Sequence, residues 1–207
     1  PKGIFYYCKP SFKKIDFKLT SDLLGIGVKF FIIQLSLLLI FQVVNVIISR
    51  NCGQMAVSQY QLSYKYFNMF YMAAIIILTP YWSAFTDAYT KNDYEWMNRA
   101  IRKLNKMLLF SFPIIILMIF SAPLFFKLWI NDTIEISMTL HICMACYVFS
   151  MIYAGVQMYI LNGIGKVTIQ LFVYLSFAIV SIPVMNMLSK IIGVYGILLF
   201  LSSVYVL

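Results

Sequence analysis

Long apolar runs, separated by short charged segments, constrain the fold of this 207-residue chain more than any other feature. A membrane-spanning α-helix needs about 20 mostly apolar residues. Hydrophobic residues make up 62% of the chain, and its mean hydropathy is +0.87. The sequence therefore predicts an all-α, polytopic membrane bundle of six transmembrane helices. The expected spans are about 26–49, 55–85, 107–128, 136–161, 168–188 and 193–207.

The distribution of basic residues predicts the orientation of these spans. Cytoplasmic loops carry an excess of Lys and Arg. If the spans alternate, one side of the membrane holds most of the cations: those of segment 1–25, those of the loop between spans two and three, and Lys166. The opposite loops hold only Arg50 and Lys190. We therefore expect a cytoplasmic N-terminus and a basic cytoplasmic linker over 1–25. The net charge of +9 then indicates membrane lipids as partners, and not nucleic acid.

Lys65 interrupts the second apolar run and is expensive to place in lipid. A lysine at the bilayer centre costs about 2.5–3.5 kcal/mol on insertion scales. If this helix begins near residue 54, Lys65 lies about 16 Å along it, close to the midplane. It needs a partner, water or a ligand; the alternative is a lysine that hydrogen-bonds neighbouring helices for structure alone. It shares one helical face with residues at steps of three and four: Gln54, Ser58, Gln61 and Asn68.

A second polar stripe follows the first span, where Gln34, Gln42, Asn45 and Ser49 fall on one side of a helix. Amide side chains both donate and accept hydrogen bonds. We therefore predict a polar binding site shared by spans one and two. Its candidate residues are Lys65, Gln61, Asn68, Gln42 and Asn45.

Residues 92–106 read as an amphipathic helix that lies in the inner interface and leads into the third span. Asn92 is its predicted N-cap, with Glu95 in the third position of a capping box. Such a helix is typical of anchoring to anionic lipid.

The polar residues do not favour an enzyme. Acid–base chemistry needs titratable groups that converge in a cleft, and the seven carboxylates fall in loops or at helix ends. The pair Cys143 and Cys146 beside His141 invites a metal site, but on a helix His141 points away from both cysteines. We predict no catalytic residues, no cofactor and no metal, with the cysteines as packing residues.

One stretch, Leu78 to Trp96, resembles the bacterial polysaccharide exporters, flippases of the multidrug, oligosaccharidyl-lipid and polysaccharide exporter superfamily that include O-antigen flippases of lipopolysaccharide synthesis. The matching elements are Pro80-x-Trp82-x-Ala84-Phe85, Asp87-Ala88 and Asn92-Asp93-Tyr94, with Tyr64 to Phe67 before them and Asn162-Gly163-x-Gly165-Lys166 after them.

This resemblance implies a fold and a function. Proteins of the family look like two six-helix lobes that face each other across a central cavity. The chain would be the C-terminal lobe, 26–207, and the N-terminal lobe would be its missing partner. The implied cargo is a lipid-linked oligosaccharide on a polyprenyl diphosphate, and the implied location is the bacterial inner membrane. The resemblance assigns Lys65 to the anionic groups of this cargo.

Three alternatives to this function stay open from the sequence, and one of them is a scaffold or truncated fragment that transports nothing. The other two are active membrane proteins. One is a cation-coupled multidrug antiporter of the same superfamily, which normally needs an embedded carboxylate. The other is a membrane-embedded glycan polymerase or transferase, although the short outward loops of this chain do not favour it.

Overall fold

The fold is all-helical, as the sequence predicts. A computed structural model describes residues 17–130 and 134–206, with side chains from residue 24 onward. Most of the basic linker 1–25, with four of its five lysines, lies outside these residues. Among the described residues there are no strands. The helices are α1 (Phe17–Cys52), α2 (Gln54–Thr90), α3 (Tyr94–Ile130), α4 (Met138–Gly163), α5 (Val167–Ile192) and α6 (Val194–Val206).

The lengths of these helices suit a bilayer. Helices α1 to α5 each contain a stretch that is long and apolar enough to cross a membrane, whereas α6 is a shorter apolar helix of 13 residues. The ends of each helix either lie within a few residues of the ends of its predicted apolar run or extend beyond them. The reason is that helical hydrogen bonding satisfies the backbone in lipid and in the interface alike.

Two pairs of helices are joined by one glycine each. Gly53 separates α1 from α2, and Gly193 separates α5 from α6. Their φ angles are +88° and +71°, a left-handed backbone that glycine adopts without a steric penalty. The chain can therefore reverse direction between long helices without a loop.

The start of α3 differs from the predicted capping box. Asn92 adopts a positive φ of 56°, and the Asp93 carboxylate accepts a hydrogen bond from the Trp96 backbone N–H at 2.9 Å. The prediction of Asn92 as the N-cap is therefore wrong by one residue. The amphipathic segment and the third span form one continuous helix, which Pro113 and Pro123 do not interrupt.

Five helices form a ring. Around it, α1 packs beside α2, α2 on α4, α4 on α6, α6 on α5, and α5 on α1, while α3 packs outside the ring on α4 and α2. Helix α4 is the most enclosed, because 61% of its spanning window is buried. The core residues at the α2–α4 contact are large and fully buried, among them Phe67, Leu78, Phe85 and Met144.

The outward faces of α3 and α5 are apolar. Leu109, Phe110 and Leu128 on α3 are 69–80% exposed, and Phe172 and Ile179 on α5 are similarly uncovered. Continuous apolar surface of this kind is costly in water and is typical of helix faces in contact with acyl chains.

Candidate functional site

The polar stripe of α2 lies on the surface of the helix bundle. Lys65 is exposed, while Gln61 and Asn68 are half-buried on either side of it. Among the described residues, the Lys65 ammonium has no hydrogen bond and no ion pair. Within the part of the bundle that the structure describes, Lys65 therefore does not link helices, which was the structural alternative to a ligand contact.

A side-chain hydrogen bond joins the polar stripes of α1 and α2. The Gln61 amide Nε2 donates to Asn45 Oδ1 at 2.5 Å, and the Asn45 amide Nδ2 donates to the Phe41 carbonyl at 3.1 Å. Gln42, one turn before Asn45, is exposed. The structure thus brings α1 and α2 together through two of the five predicted residues.

We name this surface the polar seam and define it by the five predicted binding residues Gln42, Asn45, Gln61, Lys65 and Asn68. Side chains three and four apart on a helix lie about 5–6 Å from each other at Cβ, so Lys65 neighbours both Gln61 and Asn68. No described residue hydrogen-bonds the side chains of Gln42 or Asn68. The seam therefore offers one ammonium and several amide groups with free hydrogen-bonding capacity.

The same face of α2 continues toward its C-terminal end. Thr79, Ser83, Thr86 and Thr90 follow Lys65 with helical period and line an open depression of about 790 Å³ around Pro80. From the sequence alone, helical period already places Thr79 near the face of Lys65. The other three residues could have been found from the helical period of the polar residues, which continues beyond Pro80. The helix itself continues through this proline to Thr90.

The hydroxyl groups of this depression are turned toward their own helix. Ser83 donates to the Pro80 carbonyl at 3.1 Å, and Thr86 donates to the Trp82 carbonyl at 3.1 Å. Such bonds to the preceding turn satisfy a hydroxyl within an apolar setting. This part of the surface is therefore lined mainly by hydroxyl groups, and its one carboxylate, Asp87, is paired with Lys91 at 2.8 Å.

A second polar space lies inside the ring of helices. It is a cavity of about 200 Å³ whose walls come from α1, α2, α4, α5 and α6. Sequence analysis did not find it, because its polar residues are scattered along the chain and read as ordinary aromatic residues. They are Tyr60, Tyr64, Tyr71, Tyr147, Tyr174 and Tyr205.

The histidine and the cysteines do not form a metal site within the described part of the chain, where no group of three metal-ligating side chains occurs. His141 is buried, stacks on the Phe126 ring at 5.3 Å between centroids, and lies 3.5 Å from the Ser63 hydroxyl. Cys143 is buried and Cys146 is exposed. His141 and Cys143 therefore lie in packed surroundings, whereas Cys146 lies on the surface and is not the packing residue that the sequence predicted.

Comparison with known proteins gives one result that bears on function. The family model MatE matches residues 30–187, which run from α1 through α5 and include the whole polar seam. No curated protein and no solved structure matches the chain. Since the matched region covers most of the chain, the chain belongs to the MatE family of helical membrane transporters, which are not enzymes.

Proposed function

We propose that this chain is one lobe of a flippase that exports a lipid-linked oligosaccharide across the bacterial inner membrane. The observation that carries this proposal is the exposed, unpaired ammonium of Lys65, about 16 Å along α2. Family membership supports transport in general, and the polar seam supports this class of cargo.

The charge of the seam suits an anionic cargo. A polyprenyl diphosphate carries negative charge, and sugar units present hydroxyl groups to the amides of Gln42, Asn45, Gln61 and Asn68. A lysine acts on phosphate as a compact point charge. A hydrogen bond to a charged group contributes about 1.5–3 kcal/mol, which is enough to hold a phosphate at this depth.

The position of the seam favours a water-filled path over a lipid contact. An ammonium in contact with acyl chains at mid-depth is costly, and the lobe already has apolar faces for lipid on α3 and α5. We therefore infer that the seam faces a second lobe, supplied by the N-terminal half of the transporter. Two lobes that rock against each other would expose the seam to each side of the membrane in turn.

The competing function is a cation-coupled multidrug antiporter. Such a protein needs a carboxylate within the membrane to bind a proton, a metal cation or a drug. The carboxylates whose side chains the structure describes, Asp87, Asp93, Glu95 and Glu135, are all exposed. They lie in the last turn of α2, at the start of α3 and before α4. The sign of the charge at mid-depth thus favours an anionic cargo.

The test replaces Lys65 in the full-length transporter of the source bacterium. Loss of about 1.5–3 kcal/mol of cargo binding predicts that Lys65→Ala lowers export of the surface glycan by about 10- to 150-fold. Lys65→Arg keeps the charge and should retain part of the activity. The readouts are surface glycan, accumulated lipid-linked glycan inside the cell, and transporter abundance by immunoblot.

Lys127→Ala is the matched control, because Lys127 is an exposed lysine in the last turn of α3, away from the seam. It should leave export unchanged. Full export by Lys65→Ala at normal abundance would remove Lys65 from the mechanism. If deletion of the gene leaves the surface glycan normal and makes the cells sensitive to cationic drugs, that result would favour the antiporter.

A further inference from the structure

The tyrosine-lined cavity lies at the centre of the five-helix ring. Its α2 wall spans residues 60–71, which at 1.5 Å per residue is about 9–26 Å from the start of that helix. If α2 enters the hydrocarbon region near its first residue, as assumed for Lys65, the cavity lies near the middle of the membrane. Tyr64 faces this cavity, whereas the next residue, Lys65, faces the polar seam, so the cavity and the seam lie on different sides of α2.

Four of the six tyrosine hydroxyls in this cavity lack a strong partner among the described residues, while those of Tyr147 and Tyr205 hydrogen-bond each other. Those of Tyr60, Tyr64 and Tyr71 make no hydrogen bond with any residue that the structure describes, and the Tyr174 hydroxyl reaches only the Met158 sulfur at 3.7 Å. A thioether is a weak acceptor. A buried polar group without a partner costs about 1–3 kcal/mol. Several such groups together demand an occupant that can hydrogen-bond.

These hydroxyls are open to the cavity. Tyr60 is only 1% exposed, but its hydroxyl oxygen keeps some accessible surface. Among the described residues, the side-chain oxygens that are both inaccessible and without a hydrogen-bond partner are those of Asn162 and Gln170, and Tyr60 is not one of them. The remaining accessible surface of Tyr60 is therefore cavity surface. A molecule inside the ring can contact it.

We propose that this cavity is an internal hydration site, which holds a cluster of water molecules hydrogen-bonded to the tyrosine hydroxyls. One water occupies about 30 Å³ of liquid volume, so a cavity of about 200 Å³ accepts about six or seven. Six tyrosines line it. Each water can bond one hydroxyl and one or two other waters, which satisfies the usual number of about three bonds.

The chemistry of the walls favours neutral water over a cation. Aromatic rings attract cations by about 0.5–2 kcal/mol each, but an ion that leaves water pays several kcal/mol. No carboxylate is among the lining residues to offset that cost. The lobe also carries an excess of positive charge, which disfavours a cation further.

Water in the cavity would affect how the helices of the ring pack against each other. At the level of the cavity, α2 faces α5 and α6 across hydrogen-bonded water, while α1 packs directly on α5 and α2 packs directly on α4. Water can exchange its partners without leaving the cavity. The tyrosine side chains can therefore shift against each other without losing all their hydrogen bonds.

The test is X-ray radiolytic labelling of the full-length transporter in nanodiscs, read by mass spectrometry. Hydroxyl radicals form from water beside a side chain, so a buried tyrosine is labelled only where water is held. Tyr60 and Tyr147 should be labelled several-fold faster than Tyr66. Tyr66 is also buried, at 6% exposure, but its hydroxyl is bonded within the protein to Ser121 at 2.9 Å and to the Met118 carbonyl at 3.2 Å.

Ala154→Leu adds volume at the cavity wall and should lower the labelling of Tyr147 several-fold while leaving that of Tyr66 unchanged. Labelling of Tyr60 and Tyr147 no faster than that of Tyr66 in the wild type would overturn the proposal, whether or not the leucine variant folds. Protection of both tyrosines by added choline would also overturn it, because the cavity would then be a cation site. The outcome is independent of the cargo that the transporter carries.

Discussion

Gly163, at the end of α4, gives the sharpest test of how tightly α2 and α4 pack. A Cβ atom added at this position would overlap the Cβ of Phe85 and lie 3.2 Å from the Trp82 carbonyl oxygen. Phe85 is fully buried, and both contacts involve atoms at or near the backbone of α2. Neither neighbour can move aside by rotating a flexible side chain, so Gly163→Ala must push the two helices apart.

The magnitude follows from two opposing effects. Overpacking of a close contact costs about 1–3 kcal/mol, and replacing glycine by alanine in a helix regains at most about 1 kcal/mol. We expect a net destabilisation of about 1–2 kcal/mol. For a chain of this size, that lowers the melting temperature by about 2–8 °C.

Gly155 is the matched control on the same helix. A Cβ there would meet only the side-chain methyl groups of Ile75 and Leu78, each at 3.6 Å, an ordinary contact distance. Gly155→Ala should therefore leave the melting temperature unchanged or raise it by a few degrees. The assay is thermal unfolding of each purified variant in detergent, followed by fluorescence-detected size-exclusion chromatography. Equal melting temperatures for the two variants would refute the packing argument.

Two further predictions concern single hydrogen bonds. Asn45→Ala removes the partner of Gln61 and should cost about 1 kcal/mol of stability; a double-mutant cycle with Gln61→Ala that shows no coupling energy would contradict the seam geometry. Asp93→Ala removes the N-cap of α3, at a cost of about 1 kcal/mol, and should speed hydrogen exchange of the Trp96 amide. Asn92→Gly is its control, because a φ of 56° suits glycine, and exchange that rises equally in both variants would argue against Asp93 as the cap.

Sequence reasoning predicted the fold class because lipid leaves the backbone few choices. A chain in hydrocarbon must satisfy its own peptide groups, so long apolar runs become helices whatever their neighbours are. Helical geometry also groups the five residues of the polar seam into two stripes, whose role as a binding site stays a prediction. Helical period alone places Gln61, Lys65 and Asn68 on one face of α2, and Gln42 with Asn45 on one face of α1.

Local details were less accessible to sequence reasoning. Asn92 and Asp93 are both good N-cap residues, and only the backbone angle of Asn92 decides between them. The hydroxyl stripe beyond Pro80 was missed because proline usually ends or bends a helix. Here the helix continues to Thr90.

By itself, the sequence determined that this protein is a bundle of apolar helices with a cationic polar stripe on its second span. Only the tertiary structure decided which helices are neighbours: α1 packs on α5 as well as α2, and α2 packs on α4. That order places Lys65 on an open face, pairs Asn45 with Gln61, and gathers tyrosines from four helices around one cavity. The physical reason is that period and composition act along a single helix, whereas a seam or a cavity depends on which faces of different helices meet.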